Sequence, residues 1–398
     1  MAAAQRCPTR SAACCTAKQV PGLSADGKSR VVTFPRLATI PRFASPGVAV
    51  QGGGVEFGLN SFGEISSTGG RDLSDAESVR LLVEEAKLAE SVGLDVFSVG
   101  EHYREGYNDS ATPVLLAAMA TATEKIRLGT SVTVLSTNDP VRLYQQFSTL
   151  DALSNGRAQL ILGRASAIES FPLFGYDLTD YEQLFEDKLE LFLRLMREEA
   201  VTWSGTVRAP LNDVLLHPRM RPGGIPTWIG VGGSPNSVVR AAANGLPLML
   251  AIIGGSPRRF AGHVDLYVRA LEHFDRPPLP VGVHSIGLIA DSDDEAADLY
   301  WNYWEPVIRQ TGIERGWPAP TRASYDAEVG PTGALVVGSP ETVAQKIAAM
   351  ARDLHLSRFD LKYDILRLPS EARTRTIELF GREVVPRVRE LLAPVPAA

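Results

Sequence analysis

His102 follows the largely apolar run Asp95-Val96-Phe97-Ser98-Val99-Gly100 by a single glutamate, so a titratable imidazole emerges where a buried strand should surface. In chains that alternate strands and helices, the carboxyl ends of the strands form the rim that holds ligands, and an imidazole there can give or take a proton. The plainer role is a hydrogen bond to a loop. A second candidate is Arg164, in Leu162-Gly163-Arg164, which would end another strand and offer a charge-assisted bond to a phosphate or carboxylate. Arginine at a strand end is as often a surface ion pair.

The third candidate is Gly232-Gly233-Ser234-Pro235-Asn236-Ser237, which follows an apolar run and opens a helix, with Ser234 at the cap and Pro235 at the first helical position. Glycines let a ligand approach the backbone, and the amides of Asn236 and Ser237 with the positive end of the helix suit an anion. The same grammar recurs at Gly254-Gly255-Ser256-Pro257 and Gly338-Ser339-Pro340, where it need bind nothing. Thr130-Ser131-Val132-Thr133-Val134 adds small hydroxyls and backbone beside an apolar wall, suited to a flat ring.

These residues need a frame, and the pattern from Val55 onward supplies one. Strands are expected at Val55 to Asn60, Asp95 to Val99, Ile126 to Val132, Arg157 to Leu162, Thr227 to Val231, Leu246 to Ala251, Val281 to Ala290 and Phe359 to Tyr363. Amphipathic helices lie between them: Asp75 to Val92, with Ser74 and Glu77 as a capping box, then Thr112 to Thr123, then Pro140 to the Ser154-Asn155-Gly156 stop. Eight parallel strands over this length suit an α/β fold of the closed (β/α)8 TIM barrel type with insertions better than an open doubly wound sheet. Two insertions interrupt the repeat. Residues 165 to 225 carry a helical stripe of Tyr181, Leu184, Phe185, Leu189, Phe192, Leu193 and Met196, which reads as packing, against the barrel or against a second subunit. Thr311 to Gly333, rich in Gly and Pro and holding Trp317 and Tyr325, reads as a long loop of the lid kind.

Composition narrows the partners. With 44% hydrophobic and 22% charged residues the chain is an ordinary globular one, and a net charge of −6 without a basic, aromatic-interleaved run argues against nucleic acid. No stretch of about 18 uninterrupted apolar residues is present to cross a bilayer. Residues 1 to 54 carry seven basic side chains against Asp26 alone, or +6, leaving −12 for the remainder. Their lack of periodicity reads as disorder. This segment lacks the apolar core of a secretory signal, and the reading preferred is a natural start near Val55 preceded by an upstream start choice. The three cysteines, Cys7, Cys14 and Cys15, all lie there, so residues 55 to 398 form the expected catalytic domain without a disulfide or a thiol nucleophile. No histidine pair has zinc-ligand spacing, and no metal is expected; His217, His263, His284 and His355 read as solvent or core histidines.

Phe57-Gly58 with Ser61-Phe62-Gly63-Glu64, Gly100-Glu101-His102, Leu128-Gly129-Thr130 through Val134-Leu135, Asp139-Pro140-Val141-Arg142, Leu150 through Arg157, and Gly232-Gly233-Ser234 together resemble the bacterial-luciferase-like flavin-dependent monooxygenases. The resemblance runs from about Val55 to Leu392. It implies a (β/α)8 barrel that uses reduced FMN, delivered by a separate flavin reductase, to activate dioxygen and oxygenate a small, partly apolar molecule. By position, His102 matches the active-site histidine near the reactive edge of the flavin, where it would act as proton donor or acceptor. Arg164, Gly232, Gly233, Ser234 and Ser237 match phosphate-binding positions, and Ser131-Val132 matches a bond that is a non-prolyl cis peptide in many members. Phe62, Tyr103 and Phe171, with Trp317, are expected to line the substrate pocket. A cytoplasmic homo-oligomer, a dimer in its simplest form, is expected. Two departures stand out: Tyr103 replaces the second histidine of many members, and Ala165 stands where glycine is common. Two other readings remain open: the same barrel using the deazaflavin coenzyme for hydride transfer, told apart by oxygen uptake, and a non-catalytic flavin-binding partner subunit, told apart by turnover of the chain alone.

Overall fold

The computed structural model describes residues 54–164 and 168–394. The basic segment of residues 1 to 53 and the Ala165 departure lie outside the described residues. Eight parallel strands occur in the predicted places: β1 Glu56–Ser61, β2 Val96–Val99, β3 Arg127–Thr130, β4 Ala158–Gly163, β5 Thr227–Val231, β6 Leu248–Ile252, β7 Val281–Ile289 and β8 Arg358–Lys362. Each pairs with the next, β8 pairs with β1, and β4 pairs with β5, so the sheet closes on itself. The fold is a (β/α)8 TIM barrel.

The side-chain period of two sorts each strand between two environments. On β1, Phe57 and Leu59 point outward and are buried with Phe97, Leu128, Leu160, Leu162 and Ile229 under the surrounding helices. Burying each such side chain contributes roughly 1.5 to 3 kcal/mol. The inward set is unusually polar. Arg358 and Asp360 form a fully buried pair with contacts of 2.8 and 2.7 Å, and Arg358 Nη1 also donates to Gln159 Oε1 at 3.0 Å. Glycines make the space: a Cβ on Gly58 would lie 2.4 Å from Asp360 Oδ1, and one on Gly129 would lie 2.5 Å from Gln159 Cγ.

Helix Asp75–Ser91 begins at Ser74 with the expected capping box to Glu77. Helix Tyr181–Arg197 docks its stripe on the barrel: Leu184, Phe185, Leu189, Phe192 and Leu193 join the main core, with Met196 packed against it. The second insertion differs from the expected loop. Thr311 to Arg315 finish the long helix Asp293–Arg315, and Arg322–Val329 form another helix whose Thr321 and Ser324 make a capping box. The Gly and Pro residues that suggested a loop sit at the flanks of this helix. Tyr325 is buried between Trp301 and Trp304, at 5.2 and 5.1 Å, and donates its hydroxyl to Ala297 O at 2.9 Å. Tyr325 is therefore core, whereas Trp317 stays about half exposed. A further short strand, Val336–Gly338, pairs with the upper end of β7 and went unpredicted. No helix among the described residues is long and apolar enough to cross a membrane.

Candidate functional site

Beyond β2, Asp109 holds His102 twice: Oδ1 accepts from the His102 amide at 3.0 Å and Oδ2 faces Nδ1 at 2.8 Å. Asp109 is fully buried. Burial pushes its carboxyl up, and the bond to His102 pulls the other way. A carboxylate can only accept, so Nδ1 carries the hydrogen and Nε2 is left to accept or give a proton. Phe62 and Tyr107 flank the imidazole, with ring centroids 4.5 and 5.1 Å away.

The loop that carries Phe62 is pinned by a buried ionic cluster. Asp364 accepts from Ser61 Oγ at 2.6 Å, from the Phe62 amide at 3.1 Å and from the Glu64 amide at 3.3 Å. Lys362 pairs with Glu64 and with Asp364, and its ammonium lies 4.7 Å from the centre of the Phe62 ring. Burial opposes ionisation of Asp364, but Lys362 and Arg373 outweigh it and hold the carboxyl below its ordinary range. Burial raises Glu64, against the pull of Lys362. His284, on β7, completes this side: it stacks on Phe62 at 5.8 Å, and Asn60 Nδ2 donates to its Nδ1 at 3.1 Å. Burial first and then Lys362 lower its pKa to about 3, so the ring is neutral.

Asn60 Nδ2 also reaches Ser131 O at 3.2 Å. The Ser131-Val132 peptide is cis. The Val132 side chain turns into the barrel, where a Cβ on Gly163 would meet it at 2.5 Å and one on Gly230 at 2.8 Å. Glu101 serves as a bracket, accepting from the Val134 amide at 2.9 Å, Asn138 Nδ2 at 2.8 Å and the Tyr103 hydroxyl at 2.5 Å. Burial first, and then Glu101, raise the Tyr103 phenol far above its ordinary range, so it remains a hydrogen donor. Tyr103 also meets Phe174 edge-on at 5.0 Å.

Arg164 and Gly232 surface side by side, because β4 and β5 are neighbours with Leu162 opposite Ile229. Ser234 caps helix Pro235–Asn244 without a side-chain capping bond, and added Cβ atoms on Gly232 or Gly233 would meet nothing within 4 Å. Gly233 takes φ +122°, and its carbonyl lies 2.9 Å from His263 Nε2. The result is an open cradle of backbone and one available hydroxyl beside a guanidinium, a donor set that fits a flavin phosphate. Two details depart from expectation. The Ser237 amide donates to Ser234 O at 3.1 Å, and the Ser237 hydroxyl lies 3.3 Å from Arg240 Nη1, so Asn236 keeps the amide better placed for a ligand. Arg164 also has a partner, Glu182.

The barrel thus brings His102, Ser131, Val132, Arg164, Gly232, Gly233 and Ser234 to the carboxyl ends of its strands, with Phe62 and Tyr103 beside the histidine. Phe171 is not an open wall: it is buried and stacks on Tyr181 at 5.7 Å. Sequence reasoning missed Asp109, Asn60, His284, Lys362 and Asp364. A signal existed for the last two, since Arg358, Asp360, Lys362 and Asp364 place a charge at every second residue of a strand otherwise apolar. Asp109 could be sought as the first aspartate following His102 in its loop, although Glu105 lies nearer in sequence.

The luciferase-like monooxygenase family profile matches residues 55–357. The chain spans about half the length of the first curated relatives it matches, 51% and 47% of two Sinorhizobium fredii proteins. It is 29% identical over 205 residues to the alkanal monooxygenase alpha chain of the Kryptophanaron alfredi symbiont, covering 50% of this chain and 56% of that one. It is 25% identical to the F420-dependent glucose-6-phosphate dehydrogenase of Mycolicibacterium smegmatis, covering 78% and 95%. Among solved structures, the oxygenating constituent of 3,6-diketocamphane monooxygenase from Pseudomonas putida, in complex with FMN, superposes with a TM-score of 0.68 at 19% identity over 84% of this chain and 99% of that one. At that identity the likeness speaks for the fold alone.

Proposed function

The chain belongs to the luciferase-like monooxygenase family, and we propose that it is an FMN-dependent monooxygenase acting on a small, partly apolar organic molecule. The observation that carries this reading is the pairing, on one barrel mouth, of a His102–Asp109 dyad with an open Gly232-Gly233-Ser234 cradle beside Arg164. When bound, reduced FMN would supply the electrons that activate dioxygen. Arg164 and the Ser234 hydroxyl would hold its phosphate by charge-assisted bonds. The Ser131-Val132 peptide, braced by Asn60 and by Val132 in its glycine socket, would support the ring. His102 would hold or move one proton at Nε2, while Asp109 fixes its tautomer and orientation. Phe62 and Tyr107, which flank the imidazole, would exclude water around that nitrogen. A separate flavin reductase, a cytoplasmic setting and a homo-oligomeric state belong to the same proposal.

A second reading has a specific basis in the deazaflavin-dependent relative: the same dyad could serve hydride transfer. Oxygen consumption with photoreduced FMN, set against reduced deazaflavin over a panel of candidate substrates, separates the two. The expected outcome is substrate-dependent oxygen uptake with FMN beyond the peroxide background. Substrate turnover with deazaflavin and no oxygen uptake would overturn the proposal, and absence of turnover by the chain alone would favour a partner-subunit role.

A further inference from the structure

Glu182 occupies a place between two cations. It pairs with Arg164 at the end of β4, and its Oε2 lies 3.0 Å from Arg240 Nη2. Arg240 is the more buried arginine, with a side chain 6% exposed, and it also binds Glu186 at 2.5 Å while lying 3.3 Å from Ser237 Oγ. Two guanidinium groups and two carboxylates therefore sit behind the Gly232 to Ser237 cradle with no net charge. Their exposures differ, however: the Glu182 side chain is 61% exposed, whereas Arg164 is 18% exposed and leans 5.1 Å over the Tyr181 ring. Glu182 is thus the member of the cluster that can release Arg164 while keeping Arg240 as its partner. Its carboxylate offers Arg164 the same anionic oxygens that a phosphate monoester would offer, and one guanidinium fork cannot serve both at full strength.

We propose that Glu182 is a selectivity residue, an internal anion that competes with the ligand phosphate for Arg164 and disfavours ligands whose tails carry further negative charge. The inference rests on the FMN reading of this site. When a phosphate takes Arg164, Glu182 keeps its bond to Arg240 and remains at the cradle with its charge. A single compact phosphate tolerates that neighbour, because Arg164 answers it directly. A longer tail bearing additional carboxylates, as on the deazaflavin coenzyme, meets Glu182 and Glu186 in place of a free cation.

The test is equilibrium binding, followed by ligand fluorescence, of FMN, riboflavin and the deazaflavin coenzyme to the full chain and to the Glu182→Gln, Arg164→Ala and double variants. Glu182→Gln should tighten FMN roughly two- to fivefold, the scale of an exposed charge pair, tighten deazaflavin more, and leave riboflavin unchanged. The gain for FMN should vanish in the Arg164→Ala background. Thermal melts of each variant confirm folding, which an exposed Glu-to-Gln change should leave intact. If FMN and riboflavin respond alike, or if FMN does not tighten, or if deazaflavin gains less than FMN, the role of Glu182 is overturned. If wild type binds FMN no better than riboflavin and Arg164→Ala changes neither, the underlying FMN reading fails instead.

Discussion

The two sides of the barrel mouth are built on opposite electrostatic plans. On the β1, β2 and β8 side, Asp109, Asp364, Glu64 and Lys362 are all nearly or fully buried, and each is tied to main-chain groups or to a buried partner. On the β4 and β5 side, Glu182 and Glu186 are 61% and 42% exposed and hold arginines chiefly through side-chain pairs. Buried charges cannot exchange partners without a large desolvation cost, so they fix geometry. Pairs whose carboxylate is exposed exchange more readily than fully buried ones, which suits the proposed trade of an internal anion for a ligand. The difference matches the two tasks proposed for the mouth: a proton held at one place, and an anion bound and released.

The largest expected effect lies on the buried side. Asp364→Ala removes the acceptor of the Ser61, Phe62 and Glu64 bonds and one of the two carboxylates paired with Lys362, which keeps Glu64 and the main-chain carbonyl of residue 364; it should cost about 3 to 5 kcal/mol in urea unfolding, as breaking a buried pair does. A loss below about 1 kcal/mol, typical of exposed pairs, would erase the contrast between the two sides. His102→Asn should reduce coupled product formation by about 100-fold or more while flavin binding stays near wild type. Normal oxygenation by that variant would remove His102 from the chemistry. A smaller effect comes from His284, whose folded pKa of about 3 lies below its ordinary value of 6.5. Within that window the unfolded chain takes up a proton that the folded chain does not, so stability rises with pH and is lost as pH falls from 6.5 toward 3. His284→Asn should flatten the stability profile between about pH 4 and 7 by up to about 1.4 kcal/mol per pH unit; an unchanged slope would mean that the imidazole is not held neutral.

Much of this architecture was legible in the sequence because strand length, glycine stops and apolar runs are local signals. The eight strands fell within two residues or so of their observed starts, and the cap at Ser74, the turn at Asn155-Gly156 and the helix start at Pro235 followed from local chemistry. The position of His102 was legible for the same reason. What escaped were pairings set by closure of the barrel. Asp364 meets Ser61 across 303 residues, and Arg240 meets Glu182 across 58, distances over which no periodicity carries information. The segment 311 to 333 was misread because its Gly and Pro density masked a helix eight residues long between them, and Tyr325 was anchored by aromatic neighbours from another helix.

The central claim is that the two sides hold two ends of one flavin, and the FMN-over-riboflavin preference of the His102→Asn and Arg164→Ala variants tests it most directly. Measured by flavin fluorescence against wild type, Arg164→Ala should lose about tenfold or more of that preference, the worth of one charge-assisted bond, while His102→Asn keeps it. A preference unchanged by Arg164→Ala, or lost equally in both variants, would contradict the division of labour.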